Sequence, residues 1–295
     1  MNFGRRTLGA LLLLAGAHTG VHAADAVGAD ALRQRYEAAS AEMAKSDFGR
    51  PMILQSSDTD SRVRGEVLAL LDQPLPAVQK ALQDPARWCE IMLLTPSISR
   101  CEAQHGSPAH LAVRLSRKFD QPPDKGAAAR FAFHPQASNE RYTAVELDAE
   151  KGPIGTSDYR IEVEALALDE RRSVLRMAYS YRYGLKASLA TKAYLATKGG
   201  DKVGFTRVDG QGDARVGGMR GSVERNAMRY YLAIEANVAQ SAANTPAPAA
   251  RLTASLDRWL DAISQYPRQL AEPDPAAYRR VKQALFKTQV AARDG

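Results

Sequence analysis

Several stretches of the chain alternate apolar and polar residues with a period of two, the signature of strands with one buried face. Val63, Gly65, Val67, Ala69 and Leu71 oppose Arg64 and Glu66, and Leu111, Val113 and Leu115 oppose Arg114 and Ser116. Phe131 and Phe133 oppose Arg130 and His134, and Val145 and Leu147 oppose Glu146 and Asp148. Tyr159, Ile161, Val163, Ala165 and Ala167 oppose Arg160, Glu162 and Glu164. Leu175, Met177, Tyr179, Tyr181 and Tyr183 oppose Arg176, Ser180 and Arg182. No crossover helices separate the later strands, which excludes parallel βαβ units and predicts an antiparallel sheet wetted on its second face.

A different period takes over late in the chain. Over 221–240, Val223, Ala227, Tyr230, Tyr231, Ile234 and Val238 gather on one side at 3.6-residue spacing, which predicts a long helix. Helical patterns also cover 29–46, 75–84 and 185–197, while 48–61 reads as a connection and 203–208 as a last short strand. Residues 241–250, rich in alanine and proline, read as a linker. Beyond it, Leu252, Leu256, Trp259, Leu260 and Ile263 mark one amphipathic helix and Tyr278, Val281 and Leu285 another. Two such helices bury little alone and must dock on the main domain or on a partner. Glycines 210, 212, 217, 218 and 221 miss the phosphate-binding spacing, and a mobile turn or lid hinge is the better account of them.

The first residues change the picture of where the chain works. A basic start at Arg5-Arg6, the apolar run LGALLLLAGA and the small residues at Val21-His22-Ala23 predict an export leader, residues 1–23, cleaved after Ala23. The expected location is therefore the periplasm of a Gram-negative bacterium. The formal net charge is +7, and removing the leader takes away two of those charges. The remainder is spread over mixed-sign segments, which gives no nucleic-acid footprint, and no later stretch is apolar enough to span a bilayer. Cys89 and Cys101 are the two cysteines. In an oxidising compartment a disulfide between them is the default, with two buried free thiols as the competing state. Neighbouring His105 and His110 match no zinc spacing, so no metal is expected.

In order, the elements are strand, helix, five or six antiparallel strands and a long amphipathic helix. Several segments support a resemblance: Arg64-Gly65-Glu66-Val67, Trp88-Cys89, GPIGTSDY at 152–159, YSYRYG at 179–184 and GGMRGSVERNAMRYYLAI at 217–234. The chain resembles the START-like superfamily (helix-grip, SRPBCC), with its polyketide cyclase and plant allergen-like members, and in these segments an exported bacterial branch of it. The resemblance spans about 51–240. It implies an α+β helix-grip fold, a curved antiparallel sheet wrapped around a long C-terminal helix, with terminal helices added. It leaves 24–50 as an N-terminal helix, 241–250 as the linker and 251–295 as a C-terminal helical extension. In that superfamily a hydrophobic ligand, often a lipid or polyketide, sits between helix and sheet.

The residues that would line such a space are Phe131, Phe133, Tyr159, Ile161, Val163, Met177, Tyr179, Tyr181, Ala227, Tyr230, Tyr231 and Ile234. These either fill a core, as periodic apolar faces do in every fold, or wall a cavity with a few polar anchors. The tyrosines favour the cavity, because a plain core is built more cheaply from phenylalanine or leucine. Candidates for chemistry are weak: Asp158, Glu224 and Arg225 form either a carbonyl-polarising group or an ordinary ion pair. Binding without catalysis and without a cofactor is the preferred reading. The expected partner is a lipid-like small molecule. The alternatives are an interaction module using the C-terminal helices and a cyclase- or hydrolase-like enzyme using the same cavity.

Overall fold

A computed structural model describes residues 28–195, 202–243, 247–272 and 274–294. The leader and the end of the helix at 185–197 lie outside the described residues. Eight strands form one antiparallel sheet: β1 (Met52–Thr59), β2 (Arg62–Leu71), β3 (Ile98–Gln104), β4 (Ala109–Leu115), β5 (Ala127–Ser138), β6 (Tyr142–Lys151), β7 (Thr156–Ala167) and β8 (Ser173–Tyr183). Their spatial order is β1-β2-β8-β7-β6-β5-β4-β3. The helices are α1 (Ala29–Met43), α2 (Leu75–Leu82), α3 (Pro85–Leu93), α4 (Leu185–Leu195), α5 (Gly218–Ala242), α6 (Pro248–Ser264), the single turn α7 (Pro267–Leu270) and α8 (Pro275–Asp294). The long helix α5 lies against β1, β2 and β8, flanked by α2, α3 and α6. This is the α+β helix-grip fold.

Two strands occupy segments without a clear alternation. The 48–61 segment, expected as a connection, contains β1, which pairs with β2 through a two-residue turn. Asp60 and Ser61 both take positive φ there, as the tight hairpin turn demands. The short β3 follows α3, whose start is marked by Asp84, accepting from the Ala86 N–H at 2.8 Å, and by Pro85. Conversely, 203–208 is no strand: it makes a lone bridge, Arg207 to Arg215. Helix also covers both ends of the stretch whose composition reads as a linker, since α5 reaches Ala242 and α6 opens at Pro248.

The second face of the sheet is only partly wet. Helix α1 lies across it, and Leu32 and Met43 pack with Leu68, Tyr142, Leu166 and Val174 in a second small core. Beneath that cover Arg176 bridges Glu66 and Glu164, both at 2.8 Å, and Glu164 accepts from the Tyr142 hydroxyl at 2.6 Å. All of these charged groups are buried. Sequence alternation marks them as polar; the helix above decides that they are paired with one another rather than solvated.

The C-terminal helices dock on their own chain. Trp259 of α6 is fully buried, donates to the Arg229 carbonyl at 3.3 Å and stacks on Tyr278 of α8 at 5.6 Å. Helix α8 then closes the free edge of β3. The Lys282 amine donates to the carbonyls of Thr95 and Ile98, both at 2.6 Å, and Gln289 donates to that of Cys101. Unpaired edge carbonyls invite a stray strand, and here side chains from a helix occupy them. Cys101 is also disulfide-bonded to Cys89 of α3. Closing that short loop is worth about 3 kcal/mol in the chain-entropy account.

Burial lowers the Lys282 amine to about 7. An unfolded chain holds that proton up to about pH 10.4, so between these values the unfolded state binds more protons and stability rises with pH. Buried phenols, whose ionisation is pushed up, oppose this only above about pH 10. The denaturation midpoint of the wild-type chain is therefore expected to climb from about pH 7 to about pH 9, and Lys282→Met is expected to flatten that climb. Parallel slopes for the two proteins in chemical denaturation at each pH would remove Lys282 as the cause.

Candidate functional site

Between α5 and the sheet, one row of side chains crosses neighbouring strands. Ser56 pairs with Gly65, Gly65 with Tyr179, Tyr179 with Ile161, Ile161 with Leu147 and Leu147 with Phe133. Gly65 is the low point. A Cβ there would lie 3.0 Å from both the Ala227 Cβ and the Val223 carbonyl oxygen, so helix and strand touch with nothing between them. Ala227 thus forms the close crossing itself rather than a wall set back from it.

On the next strand a cluster of rings begins. Tyr179 lies 5.4 Å from Tyr230 of α5, 5.7 Å from Tyr181 and 6.2 Å from Tyr159, measured between centroids. Tyr159 stacks on Tyr181 at 5.2 Å and meets the edge of Phe131 at 6.1 Å. The Tyr159 hydroxyl bonds that of Thr156 at 2.7 Å, while Ser222 lies beside the Tyr181 phenol and Thr95 beside that of Tyr230. Tyr179 makes no hydrogen bond among the described residues, and burial raises its phenol well above the ordinary range. Burial raises the other three phenols as well.

The remaining expected residues all lie in the main core, Tyr231 at its margin beside Arg50. Phe131, Phe133, Ile161, Val163, Met177 and Ile234 are buried in the main core. Tyr231 is fully buried in the same core, and the Arg50 guanidinium, which bonds Glu235, lies 5.5 Å from its ring centroid. Thr95, Thr156 and Ser222, which fix the phenols, were not legible as partners, because each comes from a loop or helix end remote in sequence from its tyrosine or hidden in a turn. In the described conformation the rings fill the space between α5 and the sheet. Open depressions lie elsewhere: one of about 770 Å³ and one of about 640 Å³ on the outer face of the sheet, and one of about 380 Å³ between α6 and α8.

The candidate chemical groups do not converge. Glu224 is fully buried and accepts from the Ser56 hydroxyl, from the Thr206 hydroxyl at 2.7 Å and from the Phe205 and Thr206 N–H groups, the latter at 3.0 Å. It clamps the 202–217 loop to the helix and leaves no lone pair aimed at a substrate. Arg225 donates to the Lys202 carbonyl at 3.1 Å on the same loop. Asp158 is exposed at a bulge in β7, with φ of 51°. His134 bonds Asp148 at 2.7 Å on the outer face. The glycine-rich segment expected as a hinge is a small hairpin closed by Gly204–Val216 and Val208–Ala214 backbone bonds, with Gly210 and Gly212 at its tip.

No protein-family model matches the chain, and no curated protein matches it. Similar solved structures include norcoclaurine synthase from Thalictrum flavum in complex with dopamine and hydroxybenzaldehyde. It shows 11% identity over 49% of this chain and 80% of that one, with a TM-score of 0.33. A START superfamily protein from Mycobacterium smegmatis shows 12% identity over 46% and 87%, with a TM-score of 0.33. A conserved protein from Enterococcus faecalis shows 8% identity over 86% and 98%, with a TM-score of 0.34. At these values the fold rests on the strand order and the seat of α5, not on the likenesses.

Gly65→Ala forces a methyl into the α5 crossing and is expected to cost about 1–3 kcal/mol, read from equilibrium denaturation. A neutral outcome would mean that the helix lifts freely from β2. Glu224→Gln is expected to speed hydrogen exchange at Phe205 and Thr206 while α5 itself stays protected. Unchanged exchange at those two amides would deny the clamp.

Proposed function

We propose that this chain is an exported, periplasmic binding or carrier protein for a hydrophobic, lipid-like small molecule, held between the sheet and α5 at the tyrosine end. One observation carries the reading: the apolar interior ends in four phenols, and the hydroxyl of Tyr179, at their centre, has no partner among the described residues. A polar tip without a partner in an apolar wall is the anchor that such a ligand needs. Tyr159 is only partly buried and follows the β7 bulge, so it is the ring best placed to swing aside as a ligand enters. Binding without chemistry is favoured because Glu224 and Arg225 are spent on the 202–217 loop.

The C-terminal helices support the same reading indirectly. Their apolar faces, Leu252, Leu256, Trp259 and Ile263 among them, are buried within the chain, which weakens an interaction module built on those faces. Cleavage after Ala23 and export remain part of the proposal, checked by intact mass and fractionation.

Organic extraction of the purified protein, followed by mass spectrometry, is expected to recover an apolar molecule at a fixed stoichiometry. Tyr179→Phe is expected to weaken rebinding about five- to tenfold, the worth of one net hydrogen bond. Ile234→Trp is expected to weaken it further by filling the interior. Absence of any extracted molecule, together with no binding of fluorescent acyl probes, would rule the carrier out.

A further inference from the structure

Among the described residues three large apolar side chains stand exposed: Leu185 at 76%, Leu189 at 56% and Ile154 at 45%. They meet at one end of the molecule. The Gly184 N–H donates to the Gly155 carbonyl at 3.2 Å, which seats the 153–155 turn against the start of α4. Leu185 and Leu189 are one turn apart on that helix, on the side opposite Ala187, which is buried. The helix thus turns Ala187 inward and Leu185 and Leu189 outward, the reverse of an ordinary surface helix. One exposed leucine needs no explanation, but three apolar residues converging beside an inverted helix do.

The charge carried by α4 and the strand end that leads into it has one sign. From Tyr181 to Leu195 the sequence carries Arg182, Lys186 and Lys192 and no carboxylate. Arg182 and Lys186 are exposed, as is Lys151 on the strand that leads into the turn. Carboxylates border this end on one side, where the β1–β2 turn carrying exposed Asp58 and Asp60 meets Tyr183. Asp58 accepts from the Tyr183 hydroxyl at 2.8 Å, and Glu150 and Asp158 line the outer depression with Arg62 and Arg160.

We propose that this end of the molecule, α4 with the 153–155 turn, docks on an anionic lipid bilayer. Leu185, Leu189 and Ile154 enter the interface, and Lys151, Arg182 and Lys186 reach lipid phosphates. An apolar ridge bordered by cations is what an interfacial helix presents to such a surface, with the lysine stems lying along the apolar layer and the ammonium groups in the headgroups. A second copy of the chain fits less well, because the same cations would face each other across a symmetric contact. The surface stands independently of the carrier reading, although it lies at the tyrosine end and would suit loading from a membrane.

Vesicle co-sedimentation tests it, using the purified protein and two lipid compositions. One is phosphatidylglycerol with phosphatidylethanolamine, the other phosphatidylcholine alone. Binding is expected to the first, weakened several-fold when salt is raised from about 0.05 M to about 0.5 M, and little to the second. The double variant Leu185→Ser/Leu189→Ser is expected to lose binding at least tenfold with its thermal midpoint and circular dichroism unchanged, and Lys186→Glu to weaken binding to the anionic vesicles. No binding of the wild type, equal binding to both compositions, or equal binding by the double variant overturns the proposal. So does a dimer that the double variant dissolves. Ligand extraction is scored separately, so an empty protein that still binds vesicles counts against the carrier and not against the docking surface.

Discussion

The contact on which the rest of the interior depends is the crossing of α5 over β2 at Gly65. With only hydrogen at that position, the helix comes down until Ala227 and the Val223 carbonyl meet the strand. Everything lateral to the crossing inherits its geometry. Tyr179 is the cross-strand neighbour of Gly65, and Tyr230 lies one turn beyond Ala227, so the two rings are brought together by a residue that has no side chain. Glu224 fastens the same turn of the helix from above, through Ser56 on β1 and the 205–206 amides. A strand glycine among β-branched neighbours is weakly favoured on its own account, and close approach of another backbone is a common reason for one.

Buried charge organises the covers of the sheet. Arg176, between Glu66 and Glu164, adds little net stability against a packed apolar triad, but it can be satisfied in one register only. The triad spans three adjacent strands, β2, β8 and β7, and Glu66 also meets Arg35 of α1 and Arg64, so the same charges tie the sheet to its cover. Lys282 and Gln289 do the corresponding work at the β3 edge, where the helix contributes donors and the strand contributes carbonyls. The disulfide pins that strand from the side of α3. The β3 end of the sheet's exposed hydrogen-bonding potential is thus met by side chains from a helix the strands do not predict.

That division explains what could be read from the residues alone. Strands β4 to β8 and the helix α5 carry their periodicity in the sequence, because each has one face against the core and one away from it. Strand β1 did not, since its residues from Gln55 to Thr59 are polar on both faces and most of them lie near the open edge. The short β3 mixes a cysteine, an arginine and a glutamate within four residues. The 203–208 segment alternates like a strand yet forms none, because the Phe205 and Thr206 N–H groups are already donated to Glu224. In the interior, the apolar faces were legible and the partners of the hydroxyls were not. A pattern shows which way a tyrosine points, but Thr95 and Ser222 come near theirs only through tertiary structure, and Thr156 bonds Tyr159 through a local bulge.

The fastenings are unevenly distributed, and that decides where an interior of this kind can open. The α5 crossing, the Glu224 clamp, the disulfide and the edge donors from α8 all hold elements at β1, β2 and β3. At the opposite end of the aromatic cluster, the cover is α4 and the 153–155 turn. There Ala187 is buried while Leu185, Leu189 and Ile154 contribute nothing to the core. Local opening follows the fewest buried apolar contacts, and among the described side chains of this cover few are buried. Tyr159 sits directly behind it, bonded to Thr156 of the same turn rather than to α5. That turn, Tyr159 and Tyr179 thus form one continuous row of contacts from the molecule's end to the α5 side of the sheet.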